Sequence, residues 1–384
     1  MGVKGFSRLI EKFPKCRRER KFHDYRGCCI AIDAPLTIYR FCIAILNTDH
    51  FKSDEVIKGH IFAGFYKTCS MLRYAIKPIW VFDGKPPDIK NDTLHNRKKR
   101  KDSASERLSS SPELEEKEIN KLEKRAFSIT NELMDDLKYL LDLMGIPYTK
   151  SPGEAEAQCS ALNIADIADG VATEDWDVIL FGCKKMLKDF SNKNMVLEID
   201  TQQLLDDLGM NRDQLIDLSS ILGNDYCHGI SGLKPLNAYE KFKEANFNID
   251  TFLDNLKNEK KNNYIIPNDF KEKLEAAKEY YINASVNNPS NIEVTWKKPN
   301  YKELYKYLVC VKGLNQNNIR DKILELELMY TYYVLNDNNL MTLSHIKRIN
   351  KEYPSNIYDR KKQISTRPVR FILKPNYSIS AHVS

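Results

Sequence analysis

The sequence predicts an α/β fold, a central, mostly parallel sheet flanked by helices, from three observations. Residues 28–33 (CCIAID) and 77–83 (KPIWVFD) are short apolar runs that each end in an aspartate, as buried parallel strands do. Between them, Ile57, Ile61, Phe65, Cys69 and Leu72 recur at three- and four-residue steps, the pattern of an amphipathic helix over 56–72. Strand, helix, strand is a βαβ unit with a right-handed crossover, so Asp33 and Asp83 belong at one edge of the sheet. The third observation is GVATEDWDVILFG at 170–182, which reads as strand, acidic loop and second apolar segment.

The 384 residues admit one large core or two joined ones. With 42% hydrophobic and 29% charged residues, the composition is that of a soluble globular protein. A net charge of +6 permits a polyanionic partner without requiring one. No apolar run approaches the length of a membrane span. MGVKGFSRLI carries no signal-peptide core, and Phe6 stands where N-myristoylation wants Ser or Thr. None of the nine cysteines forms a CxxC pair, and Cys28, Cys29, Cys42 and Cys69 lie in apolar runs. They read as reduced core residues of an intracellular protein and argue against structural zinc.

In chain order, the segment holding Tyr39, Phe41, Ile43 and Ile45 follows the first strand with an ambiguous period. After GKPP at 84–87 the chain becomes basic (Lys90, then RKKRK at 97–101), then Ser-rich, then acidic and helical, with few apolar anchors between Leu94 and Leu114. Such a segment is expected to be mobile or to stand away from the core. Its basic run is either a solvated face or nuclear-localisation signal, or a grip on phosphate. Helical period returns over 119–143 and stops at Gly145-Ile-Pro147. A helix with Glu154 and Glu156 near its start follows, then a strand at 195–199 and two helices over 201–222 separated by Gly209. Asp225 adjoins the next apolar segment, and the Gly-rich turn beyond it leads into a helix whose N–H groups can meet a phosphate. Gly between helices is more usually a cap. Loops are expected at 255–270 and 285–300, helix at 301–328, and a loosely ordered basic tail after that. No internal repeat is present.

A lone ExE or DxD is commonly solvated surface. Here both pairs sit in apolar settings, and Asp175 and Asp177 lie near a strand's carboxyl end, where open α/β sheets bind ligands. Carboxylates gathered there repel one another unless a cation holds them. Mg²⁺ takes oxygen ligands, and two such ions about 4 Å apart form the usual clamp for phosphodiester hydrolysis.

Assembled, these residues resemble the flap endonucleases, structure-specific 5′ nucleases of DNA replication and repair. The resemblance spans residues 1–328. It rests on MGVKGFSRLI, IAIDAPLTIYRF, VFDGKPPDIK, LMGIPYTKSPGEAEAQCSAL, ATEDWDVILFG, ILGNDYCHGISGL and VTWKKPNYKELYKYL. It implies an N-terminal nuclease region (1–100), a helical arch (88–130), an internal nuclease region (131–330) with a helix–two-turn–helix near 217–245, and a basic tail (331–384). It also implies that Asp33, Asp83, Glu154, Glu156, Asp175, Asp177 and Asp225 bind two Mg²⁺ ions, for which Mn²⁺ can substitute. Lys90 and Arg97, at the arch base, are implied to contact the scissile phosphate. Tyr39 is implied to stack on a base near the cleavage point, and Gly2 to lie near the reacting phosphates once Met1 is removed. Lys124, Arg125, Gly232 and Lys234 are implied DNA contacts.

The implied partner is branched DNA with a 5′ flap, bound by a monomer in the nucleus, or at a cytoplasmic or viral replication site if this is a divergent or viral member. Three departures stand out. Basic positions of the family read Leu46, Ser128 and Asn131. The family's GIGPKRA turn reads GLKPLNA at 232–238, so Lys234 replaces a glycine and is expected to incur a steric penalty where glycine takes a positive φ. Its ammonium then either faces solvent or replaces the family's bound potassium ion. The tail lacks the motif that docks on a sliding clamp. The alternatives are a sibling nuclease cutting junctions, gaps or bubbles, and a catalytically silent DNA-binding scaffold.

Overall fold

The first helix, α1 (Phe6–Ile10), buries Phe6, Leu9 and Ile10 and leads to β1 (Arg17–Arg20). Next comes β2 (Cys29–Asp33), whose last side chain accepts the N–H of Leu36 at 3.1 Å and so caps α2 (Ala34–Ile45). Pro35 in the first turn reinforces that start. This resolves the ambiguous period around Tyr39 as helix. α3 (Gly59–Arg73) carries the expected amphipathic stripe and returns the chain to β3 (Lys77–Phe82). In this computed structural model the described residues are 2–46, 58–110, 115–191, 195–259 and 264–334, so the expected start of that helix at 56–57 lies outside them.

The polar insert is not shapeless. It forms two helices, α4 (Asn91–Ser110) and α5 (Glu116–Ala126), which pack on each other. Ala104 and Leu122 are their buried residues, and Arg107 pairs with Glu118 at 2.5 Å. The single helix expected over 119–143 is two helices, because Phe127 leaves helical geometry (φ −64°, ψ 135°). Thr130 then caps α6 (Asn131–Met144), accepting the N–H of Leu133 at 3.4 Å. Gly145, at φ 66°, ends that helix as expected.

β4 (Tyr148–Lys150), α7 (Ala155–Ile164), β5 (Gly170–Ala172), the single turn α8 (Asp177–Leu180), β6 (Lys185–Lys188) and β7 (Val196–Asp200) complete the sheet. The second apolar segment of the acidic stretch is thus the turn α8. Helices follow: α9 (Thr201–Leu208), α10 (Arg212–Leu222), α11 (Pro235–Glu244), α12 (Ile249–Asn258), α13 (Phe270–Ile282) and α14 (Tyr301–Tyr305). Two compact units divide after Leu304. The second holds a π-helical stretch, Lys306–Val311, and α15 (Gln316–Val334). The helix expected over 301–328 is therefore interrupted, with Gly313 at φ 65° between its parts. Backbone helix persists to Val334, past the expected start of the tail at 331; the rest of the tail lies outside the described residues.

The strand order is β1-β7-β6-β5-β2-β3-β4. β4, β3, β2, β5 and β6 run parallel, β7 runs antiparallel to β6, and β1 antiparallel to β7. From β2 the chain goes to β3 and β4 on one side, then crosses to β5 on the other. The strand order therefore reverses between β2 and β5, where the carboxyl ends of an open sheet leave a crevice. Ile30, Ile32, Trp80 and Phe82 are buried, each fully buried side chain contributing about 1.5–3 kcal/mol. Trp80 needs a partner for its indole N–H and donates to Thr68 Oγ1 at 3.2 Å. Cys42 and Cys69 are core residues, while Cys28 and Cys29 are only half-buried, a correction to their expected place. Among the described residues no helix is long and apolar enough to cross a membrane.

Candidate active site

The site grows from strand ends. Asp33 closes β2, and its Oδ2 accepts the hydroxyl of Thr173 (2.8 Å), the first residue after β5. Thr173 Oγ1 in turn accepts the N–H of Asp175 at 3.1 Å. Asp83 follows β3 directly and accepts the N–H of Ala155 at 2.8 Å, at the start of α7. The loops after β3 and before α7 touch closely: Gly84 N–H donates to the Gly153 carbonyl at 2.7 Å. A Cβ at Gly84 would run into the carbonyls of Ser151 and Pro152, so only glycine lets Asp83 approach Glu154 this way. Glu154 is the N-cap of α7 and Glu156 lies in its first turn.

Asp175 Oδ1 accepts the N–H of Asp177 (3.3 Å), the first residue of α8. Gly2, at φ 80°, lies so close that a Cβ there would collide with Oδ1 of both Asp175 and Asp177. Its segment is held because Lys4 N–H donates to the Gly223 carbonyl at 2.9 Å and Lys4 Nζ to the His228 carbonyl at 2.8 Å. Asp225 sits in the loop after α10, where Asn224 Oδ1 accepts the N–H groups of Tyr226 (2.9 Å) and Cys227 (2.8 Å). All seven predicted acids thus share one neighbourhood, with Glu156 feeling Asp33, Asp83, Glu154 and Asp175, and Asp177 feeling Asp175, Asp225 and Glu154.

Burial and mutual repulsion set the electrostatics. Burial, then Asp83, raises the Asp33 carboxyl from 3.8 to about 7. Partial desolvation and the nearby Glu154 push Asp83 up although its side chain stays open to solvent, burial pushes Asp175 up, and burial with neighbouring carboxylates pushes Glu156 and Asp177 well up. Asp225 goes the other way. Burial raises it, but Lys90 and Arg97 outweigh burial and hold it below the usual range. Lys90 Nζ pairs with Glu154 Oε1 and lies 3.0 Å from Asp225 Oδ2, while Arg97 Nη2 reaches Asp225 Oδ1 (2.8 Å) and Oδ2 (2.7 Å). Thr93, between them in sequence, donates to the Asp225 carbonyl at 2.6 Å. The foot of α4 is therefore pinned on the carboxylate nest by positive charge.

Sequence reasoning missed the tyrosines on Glu154. Tyr226 OH donates to Glu154 Oε2, and Tyr280 OH does so at 3.1 Å. The ring of Tyr281 lies 5.1 Å from that of Tyr226. A Tyr-Tyr pair in an amphipathic helix and a Tyr beside Asp225 were the available signals. Other predicted residues fall apart from the nest. Tyr39 faces the ring of Phe127, and Lys124 and Arg125 occupy the last turn of α5, where among the described residues neither pairs with a carboxylate. Gly232 has φ 85°. Lys234 is exposed and occupies the position before α11 at φ −77°, so the strain expected of a lysine in glycine's place is absent.

The donor set fits a hard divalent cation. It is all oxygen, four of its seven acids (Asp33, Glu154, Asp175 and Asp177) are buried, and among the described residues Asp177 Oδ1 has no hydrogen-bond partner. An uncompensated buried carboxylate is costly, and a cation removes that cost. Among the described residues no three His, Cys, Asp or Glu already close on an ion-sized space. Lys90 and Arg97 supply the positive charge facing Glu154 and Asp225.

A mostly parallel sheet with clustered carboxylates at its switch point, under a basic helix foot, defines a metal-dependent phosphodiester hydrolase. The XPG N-terminal domain model matches residues 1–104 and the XPG I-region model residues 145–225. A flap endonuclease 1 of Nematostella vectensis is 35% identical over 337 residues, covering 85% of this chain and 87% of that protein. The chain belongs to the flap endonuclease family. Its fold resembles the catalytic core of Rad2 in complex with DNA substrate (TM-score 0.68, 27% identity, 85% of this chain and 100% of that one). It also resembles flap endonuclease-1 from Methanococcus jannaschii (TM-score 0.62, 27% identity, 82% of this chain and 96% of that one).

Proposed function

We propose that this chain is a structure-specific 5′ flap endonuclease and 5′→3′ exonuclease that hydrolyses DNA at single-strand/duplex junctions. The observation that carries the reading is the nest of seven carboxylates, Asp33, Glu154, Asp175 and Asp177 of them buried, faced by Lys90 and Arg97 from the foot of α4. Asp33, Asp83, Glu154, Glu156, Asp175, Asp177 and Asp225 would hold two Mg²⁺ ions, or Mn²⁺ in their place. Bound there, the ions supply an activated water and neutralise charge on the attacking and leaving oxygens.

The protein's own part is positioning. Burial alone would lower Lys90, but Glu154 and Asp225 raise it well above the lysine range, so it stays a cation at working pH. Lys90 and Arg97 then exchange carboxylate for substrate phosphate, placing positive charge where negative charge develops. Gly2 leaves room for close backbone approach, and Lys124, Arg125, Gly232 and Lys234 meet phosphates farther out. Such contacts carry no base sequence, so selection rests on substrate shape, a free 5′ end and a bendable junction.

The partner is branched DNA, bound by a monomer in the nucleus; without a clamp-docking motif, association with a sliding clamp is not part of the reading. Mapping products from labelled flap, nick, gap, bubble and four-way substrates in Mg²⁺ tests it. Preferred cutting at the base of the 5′ flap is expected. Preference for the bubble or four-way substrate would instead identify a sibling activity, and no cutting of any substrate a silent scaffold.

A further inference from the structure

The residues that follow β5, TEDWD at 173–177, divide into two alternating sets. Thr173, Asp175 and Asp177 form one chain of hydrogen bonds that ends on Asp33: Asp177 N–H donates to Asp175, Asp175 N–H to Thr173, and the Thr173 hydroxyl to Asp33. Glu174 and Trp176 instead both meet Lys188, the last residue of β6. Lys188 Nζ lies 3.4 Å from Glu174 Oε2 and 4.4 Å from the centre of the Trp176 ring. One ammonium therefore holds the residues on either side of Asp175.

Other contacts tighten the same clasp. Arg40 on α2 pairs with Glu174 Oε1, and the N–H of Asp189 donates to that oxygen at 2.7 Å. Asp189 takes φ 50°, uncommon for a residue other than glycine, and its carboxylate accepts from Arg40 at 3.5 Å. Thr173 N–H donates to the Leu187 carbonyl at 3.3 Å, so backbone joins the ends of β5 and β6 as well. Trp176 is buried and packs edge-on against Phe6 of α1, with centroids 5.5 Å apart and planes at 84°. An ammonium over an aromatic face is held more firmly out of water than in it, and the Lys188 side chain is only 14% exposed. Glu174, an acid next to the nest, is thereby satisfied by the protein's own cations.

We propose that Lys188 is a positioning residue for the metal site: by clasping Glu174 and Trp176 it fixes the loop so that the Asp175 and Asp177 carboxylates are held ready for a divalent ion. The proposal rests on the reading of the nest as a metal-binding nuclease site. The direction of the effect separates positioning from simple charge. A cation beside the nest repels a divalent ion, so on charge alone its removal strengthens metal binding. A cation that holds the ligands in place has the opposite effect, and its removal weakens metal binding.

The test titrates the full chain with Mn²⁺ in the absence of DNA and reads free Mn²⁺ by electron paramagnetic resonance. Lys188→Met, which keeps the stem without the charge, should bind Mn²⁺ about 10- to 100-fold more weakly than the parent. It should need correspondingly more Mg²⁺ for half-maximal single-turnover cleavage, with flap affinity in EDTA unchanged. Lys188→Arg keeps a cation over the ring and should recover most of the loss. Trp176→Leu removes the aromatic face without changing charge and should also weaken Mn²⁺ binding, whereas Trp176→Phe should stay near the parent. Melts in EDTA confirm that each variant folds. Mn²⁺ binding by Lys188→Met as tight as the parent's, or tighter, would overturn the clasp. Lower flap affinity in EDTA with Mn²⁺ binding unchanged would do so too, and would make Lys188 a DNA contact. A parent that binds no Mn²⁺ would overturn the metal reading itself, a result distinct from equal binding by parent and Lys188→Met.

Discussion

Among the described residues the buried Asp177 Oδ1 has no hydrogen-bond partner, and burial with Asp175 and Asp225 drives its carboxyl well up. Asp33, raised from 3.8 to about 7, holds more protons folded than unfolded between those values. Its contribution to metal-free stability is therefore full below about pH 4 and lost as pH rises through about 7. Mg²⁺ binds the deprotonated carboxylates and competes with those protons. Thermal melts with and without MgCl₂ should show a larger rise in Tm at pH 8 than at pH 5.5, with about 2.7 kcal/mol gained at a hundredfold excess over Kd. Equal rises at both pH values would detach the carboxylates from metal binding. The acids were legible because each follows an apolar run or opens a helix. Tyr226 and Tyr280 were not, since a loop tyrosine and one of a helical Tyr-Tyr pair read as packing until their neighbour across the fold, Glu154, is known.

At the level of elements, the foot of α4 and the turn before α11 test the division of labour between reaction and grip. Lys90→Ala and Arg97→Ala should slow single-turnover cleavage by about 10²–10³-fold while affinity changes little, since their charge is aimed at the reacting phosphate. Weaker binding with an unchanged rate at saturating enzyme would make them ordinary DNA contacts. Lys234, exposed and unstrained at φ −77°, belongs to the grip. Lys234→Ala should weaken binding uniformly across substrates and lower the salt slope by about 1, measured by titration over a range of KCl. An unchanged slope would remove it from the DNA surface. The sheet was legible from its apolar runs, whereas the arch was legible as helix only in its acidic part and through the family resemblance, not from apolar period. α4 and α5 are very polar and hide their apolar surface mainly on each other, so composition reads as an unpacked insert. The break at 127–130 had its own signal, Thr130 before Asn-Glu-Leu, but the helical period on both sides masked it.

For the whole molecule, the switch point between β2 and β5 gathers residues separated by nearly two hundred positions, from Asp33 to Asp225, and the arch foot brings cations to them. The central claim is that this nest hydrolyses phosphodiester bonds with divalent metal, while most DNA affinity lies elsewhere. The most direct measurement pairs cleavage and binding of one labelled 5′ flap by the parent and Asp177→Asn, each in MgCl₂ and in EDTA. The parent should release a product bearing a 5′-phosphate in MgCl₂ only, and Asp177→Asn should cut at least about 10²-fold more slowly yet bind the flap comparably. Cleavage by Asp177→Asn at nearly the parent rate, or undiminished cleavage by the parent in EDTA, would contradict the account.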